Sequence, residues 1–131
     1  MKLGVCVGLA LTASLSIAAP SLADPPGRQV FSDNCAACHQ AEGQGVPGAF
    51  PALAGDTVVQ GAPEQAAGVV LRGRGGMPSF ANDLSDDQIA QALTYVRSSW
   101  GNKAGPVTAA VVAGQRANAQ SDAAPSGLQA H

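Results

Sequence analysis

The sequence predicts an all-α fold of three to four helices. Three observations carry this expectation: a capping box that opens a long apolar stripe at 85–100, prolines at the start of two further helical stretches, and glycine-rich intervals with no alternating strand pattern. The first helix is expected to begin with Asp24 as cap and Pro25 at its first position, where a missing N–H costs nothing. Gly27, Phe31 and Cys35 then share one face, with Gly27 letting another helix cross closely and Phe31 keying into it. A weaker helix is expected at 63–71, in Pro-Glu-Gln-Ala-Ala-Gly-Val-Val-Leu, where Gly68 lowers the helical propensity. The last helix is the clearest. Ser85 and Gln88 form its capping box, Leu84 and Ile89 the hydrophobic staple around it, and Asp86 and Asp87 suit the positive end of its dipole. Its stripe runs through Ile89, Leu93, Val96 and Trp100, with Ala92 and Tyr95 beside it, and Gly101 is expected to end it. The intervals 43–48 and 73–76 are too rich in glycine for regular structure.

The chain has 131 residues, 46% of them hydrophobic and 12% charged, about half the charged share usual for a globular domain. One domain fits that length. Seven Lys and Arg stand against nine Asp and Glu with no cluster of positive residues, which excludes a basic nucleic-acid binder. Residues 1–23 read as a cleaved secretory signal: Lys2 gives a minimal positive start, 7–19 is mostly apolar, and Ser21-Leu22-Ala23 places small residues before the cut. An uncleaved membrane anchor is the alternative, weakened by Thr12, Ser14, Ser16 and Pro20. Cys6 precedes the apolar run and would leave with the signal. Residues 24–102 form the expected domain. The remainder, 103–131, is rich in Ala, Gly, Gln and Ser, lacks a sustained helical stripe and is expected to be a flexible tail. The compact part, 27–102, is of a size at which a hydrophobic core alone leaves a domain marginal. Only Phe31, Phe50, Phe80, Tyr95 and Trp100 supply aromatic bulk. A bulky cofactor would remedy that.

Cys35-Ala36-Ala37-Cys38-His39 is the spacing of covalent haem c attachment. Two thiols three residues apart reach the two vinyl groups along one porphyrin edge, and the next residue brings its imidazole under the iron. His39 is thus the candidate axial ligand. A thioredoxin-type dithiol is the competing reading, but the strand before it and the long helix after it are missing. A structural zinc site lacks two further ligands at suitable spacing. Once the leader is removed, Met77 is the only methionine left for a second axial position. It sits in Gly75-Gly76-Met77-Pro78-Ser79-Phe80, where the glycines let backbone approach a macrocycle and Pro78 stiffens the segment. His131, at the chain end, is the only competing histidine. A lone methionine is otherwise a core gap filler. Arg72 and Arg74 flank Gly73 just before this segment and offer planar forks suited to haem propionates; ordinary solvated surface is the alternative.

With these motifs in place, 27–102 resembles the class I cytochromes c, and in particular the small bacterial domains found alone or attached to quinoprotein dehydrogenases and terminal oxidases. The resemblance implies the cytochrome c fold, with crossing N- and C-terminal helices around one covalently bound haem. It implies that Gly27 and Phe31 pack against Tyr95, that the Pro51 carbonyl accepts the other imidazole N–H of His39, and that Leu53 lies on the haem face. Iron held by one imidazole and one thioether has no open position, so a non-enzymatic electron carrier is expected, in the periplasm. It would move one electron from a dehydrogenase or quinol-oxidising complex to a terminal oxidase or reductase. Lys103 is the only lysine beyond the leader, so docking is expected to use an apolar rim and to depend weakly on salt. Two rival readings remain: a haem-based small-ligand sensor or weak peroxidase with a displaceable Met77, and a cytochrome subunit tethered to a dehydrogenase by its leader or tail.

Overall fold

A computed structural model describes residues 24–123. The leader expected at 1–23 and the chain end at 124–131, which includes His131, lie outside the described residues. Among the described residues six helices follow one another: α1 (Pro26–Asn34), α2 (Ala36–His39), α3 (Thr57–Gln60), α4 (Pro63–Arg72), α5 (Asp86–Ser98) and α6 (Ala109–Ala123). Among the described residues the only strand-like pairing is in two isolated bridges, Val46 with Phe50 and Arg74 with Met77.

The crossing of α1 and α5 is the most extensive helix contact. It exists because Gly27 has no side chain: a Cβ there would collide with the Gln91 carbonyl and come within 2.9 Å of Tyr95 Cβ. Phe31, one turn on, is fully buried, and its ring lies 5.6 Å from that of Tyr95 between centroids. The helix starts one residue later than expected, with Pro25 as cap and Pro26 in the first turn. Asp24 instead forms an exposed 2.6 Å ion pair with Arg28, a contact worth little in water.

The capping box of α5 is present in both directions. Gln88 N–H donates to Ser85 Oγ at 3.2 Å, and Ser85 N–H donates to the Gln88 side chain at 2.9 Å. Its end differs from expectation. The helix stops at Ser98, Ser99 is extended, and Trp100 and Gly101 take positive φ of 53° and 87°. Trp100 therefore leaves the apolar stripe, and its ring turns back to lie 5.1 Å from Phe31 and 5.5 Å from Tyr95. Three aromatic rings replace a fourth turn of helix.

Two single-turn helices went unforeseen. In α2 the chain restarts after a break at Cys35. In α3 the Asp56 carboxylate caps the turn by accepting from Val59 N–H at 2.9 Å, overcoming the poor helical propensity of Thr57, Val58 and Val59. The helix expected at 63–71 is present as α4, with Gly68 buried within it.

The expectation of a flexible tail from 103 onward is corrected for 103–123. This segment runs back along α5 and forms α6 across α4 and α5. Val112 is 0% exposed and joins Val107, Leu71, Leu84, Ile89 and Leu93 in the larger core cluster. Thr94 exchanges two hydrogen bonds with the Val107 backbone, at 3.0 and 3.2 Å. Arg116 pairs with Asp86 at 2.7 Å and donates to the Ala81 and Leu84 carbonyls. Composition misled here because a helical stripe is not required when two valines and one arginine find partners already ordered by α4 and α5. Arg97, also buried, ties α3 to the same segment by donating to the Val59, Gly61 and Gly105 carbonyls at 2.6 to 2.9 Å.

Replacing Val112 with Ala should lower stability by about 2 kcal/mol, through lost burial and the cavity left behind. Urea unfolding of wild type and variant measures this. A change within about 0.5 kcal/mol, the usual range for surface positions, would contradict a packed α6.

Candidate functional site

The site is built on the joint between α1 and α2. Cys35 ends the first helix and precedes the second, its backbone at φ −120° and ψ −34°, and its carbonyl accepts from Cys38 N–H at 3.2 Å and His39 N–H at 2.9 Å. The two thiols therefore stand one turn apart. Both are free and half-buried. Burial, reinforced by Cys38, pushes the Cys35 thiol up to about 11. A redox dithiol needs the opposite, an attacking thiolate stabilised near neutral pH, so the surroundings argue against the thioredoxin-type reading.

His39 is 8% exposed, and its ring is held in one orientation: Nδ1 lies 2.9 Å from the Pro51 carbonyl. A carbonyl oxygen can only accept, so Nδ1 carries a proton, and in the neutral ring Nε2 is the nitrogen with the lone pair. Nε2 has no hydrogen-bond partner among the described residues. That is the tautomer an axial ligand needs. The chain between His39 and Pro51 is folded tightly. Gly45 N–H donates to the His39 carbonyl at 2.9 Å, Val46 and Phe50 exchange hydrogen bonds at 2.8 and 2.9 Å, and a Cβ on Gly45 would collide with the Phe50 carbonyl. Leu53 packs with Cys35 and Ala36 against the cluster of Phe31, Val59 and Val96.

Met77 sits on a separate loop. Arg74 and Met77 pair across a tight turn with Gly75 and Gly76 at its tip, their two backbone hydrogen bonds measuring 3.0 and 3.1 Å. The turn is fastened to α4 at both ends: Gly73 N–H donates to Val69, Ser79 Oγ to Leu71 at 2.5 Å and Phe80 N–H to Val70 at 3.0 Å. Met77 is half-buried. Arg72 and Arg74 are exposed and form no ion pair among the described residues. The Arg72 guanidinium folds back over Gly68 of its own helix. Cys35, Cys38, His39, Pro51 and Leu53 thus come together, whereas Arg72 at the end of α4 and Arg74 and Met77 on the second loop make no hydrogen bond to the first group.

Two thiols one turn apart and an adjacent imidazole with a fixed tautomer fit covalent haem as a donor set. The family model described as cytochrome C oxidase, cbb3-type, subunit III matches residues 23–96, and the chain belongs to that family. It is similar to cytochrome c-552 of Thermus thermophilus, 36% identical over 70% of this chain and 72% of the relative. It is also similar to cytochrome c6 of Leptolyngbya boryana, 40% identical over 53% of this chain and 85% of the relative. The cytochrome c subunit of alcohol dehydrogenase (quinone) from Gluconacetobacter polyoxogenes is 38% identical over 73% of this chain, but the alignment spans only 23% of that longer relative. The protein is a class I monohaem cytochrome c with the all-α fold of that family, and its cofactor is covalently bound haem c.

Three contributors escaped sequence reasoning. Trp100 covers Gly43, where its ring leaves no room for a Cβ and the φ of +62° would strain any side chain. Asn102 is buried behind the Pro51 segment. Arg97 spans α3 and the stretch after α5. A polar residue just past a helix reads as a simple end signal, so the sequence held no hint of Asn102's reach.

Met77→Ala should retain the covalent haem and lose the weak near-infrared sulfur-to-iron band of the oxidised protein, read by absorption spectroscopy. An unchanged band would exclude Met77 as ligand.

Proposed function

We propose that the protein is a periplasmic one-electron carrier, exported by its N-terminal segment, that accepts an electron from a dehydrogenase or quinol-oxidising complex and passes it to a terminal oxidase or reductase. In this reading Cys35 and Cys38 would form the two thioethers, His39 and Met77 would ligate the iron, and Leu53 would contribute to the haem face. Bound there, haem supplies a ferric/ferrous couple with no iron position open to a substrate. Pro51 fixes the His39 ring and raises its basicity. The observation that carries the reading is the His39 imidazole, buried and oriented by Pro51 with Nε2 left free. Arg72 and Arg74 have guanidinium groups with no carboxylate partner among the described residues, and they are assigned to the haem propionates.

Docking is assigned to an apolar rim. Val46 and Phe50 are 37% and 40% exposed, beside Pro47, Ala49 and Ala52, on the loop that carries the Pro51 carbonyl. No lysine or arginine lies on that loop. A second arrangement, residence in a dehydrogenase complex, is supported by the similarity to cytochrome c subunits of alcohol and gluconate dehydrogenases. Co-purification with a dehydrogenase would favour that arrangement over a free shuttle.

Carbon monoxide added to the ferrous protein at neutral pH should leave its spectrum unchanged; rapid binding would indicate a small-ligand sensor instead. Electron-transfer rates to a redox partner should change by less than about threefold between 50 and 200 mM salt, because few charges are screened at an apolar contact. A steep fall would overturn the apolar docking surface. In Arg72→Ala, the pH dependence of the reduction potential should shift if the guanidinium holds a propionate, and an unaltered profile would remove that assignment.

A further inference from the structure

We infer that Asn102 is a positioning residue for the His39 imidazole, acting from behind the Pro51 segment together with the ring of Trp100. The inference rests on the reading of His39 as the haem ligand. Asn102 is 4% exposed. Its amide is nearly saturated: Nδ2 donates to the Leu53 carbonyl at 3.0 Å and to the Val96 carbonyl at 2.9 Å, and Oδ1 accepts from Gly55 N–H at 2.8 Å. One side chain thus joins the last turn of α5 to the residues just beyond Pro51.

What it holds bears directly on His39. Pro51 has no N–H and Ala52 makes no backbone hydrogen bond, so the position of the Pro51 carbonyl is set by the residues on either side. On one side is the Val46 and Phe50 bridge. On the other is Leu53, whose N–H donates to Gly43 at 2.7 Å and whose carbonyl is the one Asn102 holds. Gly43 is in turn covered by Trp100, since any Cβ on Gly43 would strike the indole. Trp100 and Asn102 therefore grip the two strands of this loop from one short stretch of chain, the irregular turn where α5 ends early. The positive φ of Trp100 gains a purpose in this arrangement, because a continued helix would carry both side chains away from the loop.

The experiment compares Asn102→Ala with Val112→Ala, which removes buried volume in the distant cluster between α4, α5 and α6. In the reduced, haem-loaded protein, solvent exchange of the His39 Nδ1 proton is followed by NMR, with urea unfolding measured alongside. Exchange should accelerate at least tenfold in Asn102→Ala and stay at the wild-type rate in Val112→Ala, even where both lose stability. Wild-type exchange in Asn102→Ala, or equal acceleration in both variants, would overturn the inference. If Asn102→Ala does not fold, Trp100→Phe takes its place with the same expectation and the same disproof. A wild-type protein that carries no covalent haem would defeat the functional reading instead, and its absorption spectrum reveals that before any variant is made.

Discussion

The hydrogen bond between His39 and the Pro51 carbonyl is the contact around which the site is arranged. Alone it is worth about 1 kcal/mol, but its effect is to choose a tautomer and a ring direction. A histidine one residue past a cysteine, on a single turn of helix, would otherwise rotate freely. The tight loop from Gly43 to Gly55 brings the carbonyl to the ring, and the positive φ of Gly43 and Gly45 makes so compact a loop possible. The direction of the His39 ring is thereby specified twelve residues away in sequence.

That loop needs a rigid wall, and the crossing of α1 with α5 provides it. Gly27 lets the helices meet backbone to backbone, which brings Tyr95 and Trp100 around Phe31 and sets the end of α5 beside the loop. The larger core cluster lies toward the start of α5, with Ile89, Ala90 and Leu93, and is closed by α6. Arg116 bonds to the Asp86 side chain and to the Leu84 carbonyl, so the last described helix fastens the start of the helix whose other end supports the site. The two cores therefore follow one another along α5, Ile89 and Leu93 in one and Val96 in the other.

Much of this was legible in residue patterns with short sequence range. Ser85 and Gln88 announced the start of α5, and Gly27 with Phe31 announced the crossing. The Cys35 to His39 spacing announced the chemistry, and the resemblance supplied the partnership of His39 with Pro51. What stayed hidden depends on distant partners. The turn of α3 follows from Asp56 against a run of β-branched residues, Trp100 leaves the helical stripe to reach Phe31 and Gly43, and Asn102 reaches Leu53 across forty-nine residues of chain. The helix at 109–123 was missed for a related reason. Its stability comes from Val112 and Arg116 meeting surfaces that only the folded domain creates.

The central claim is that Cys35 and Cys38 bind haem covalently beside an imidazole prepared for iron. Intact mass spectrometry of the exported protein under fully denaturing conditions tests it most directly. The account predicts the polypeptide mass plus one haem, with the addition lost when both cysteines are replaced by serine. A bare polypeptide mass with the colour released on denaturation would contradict it.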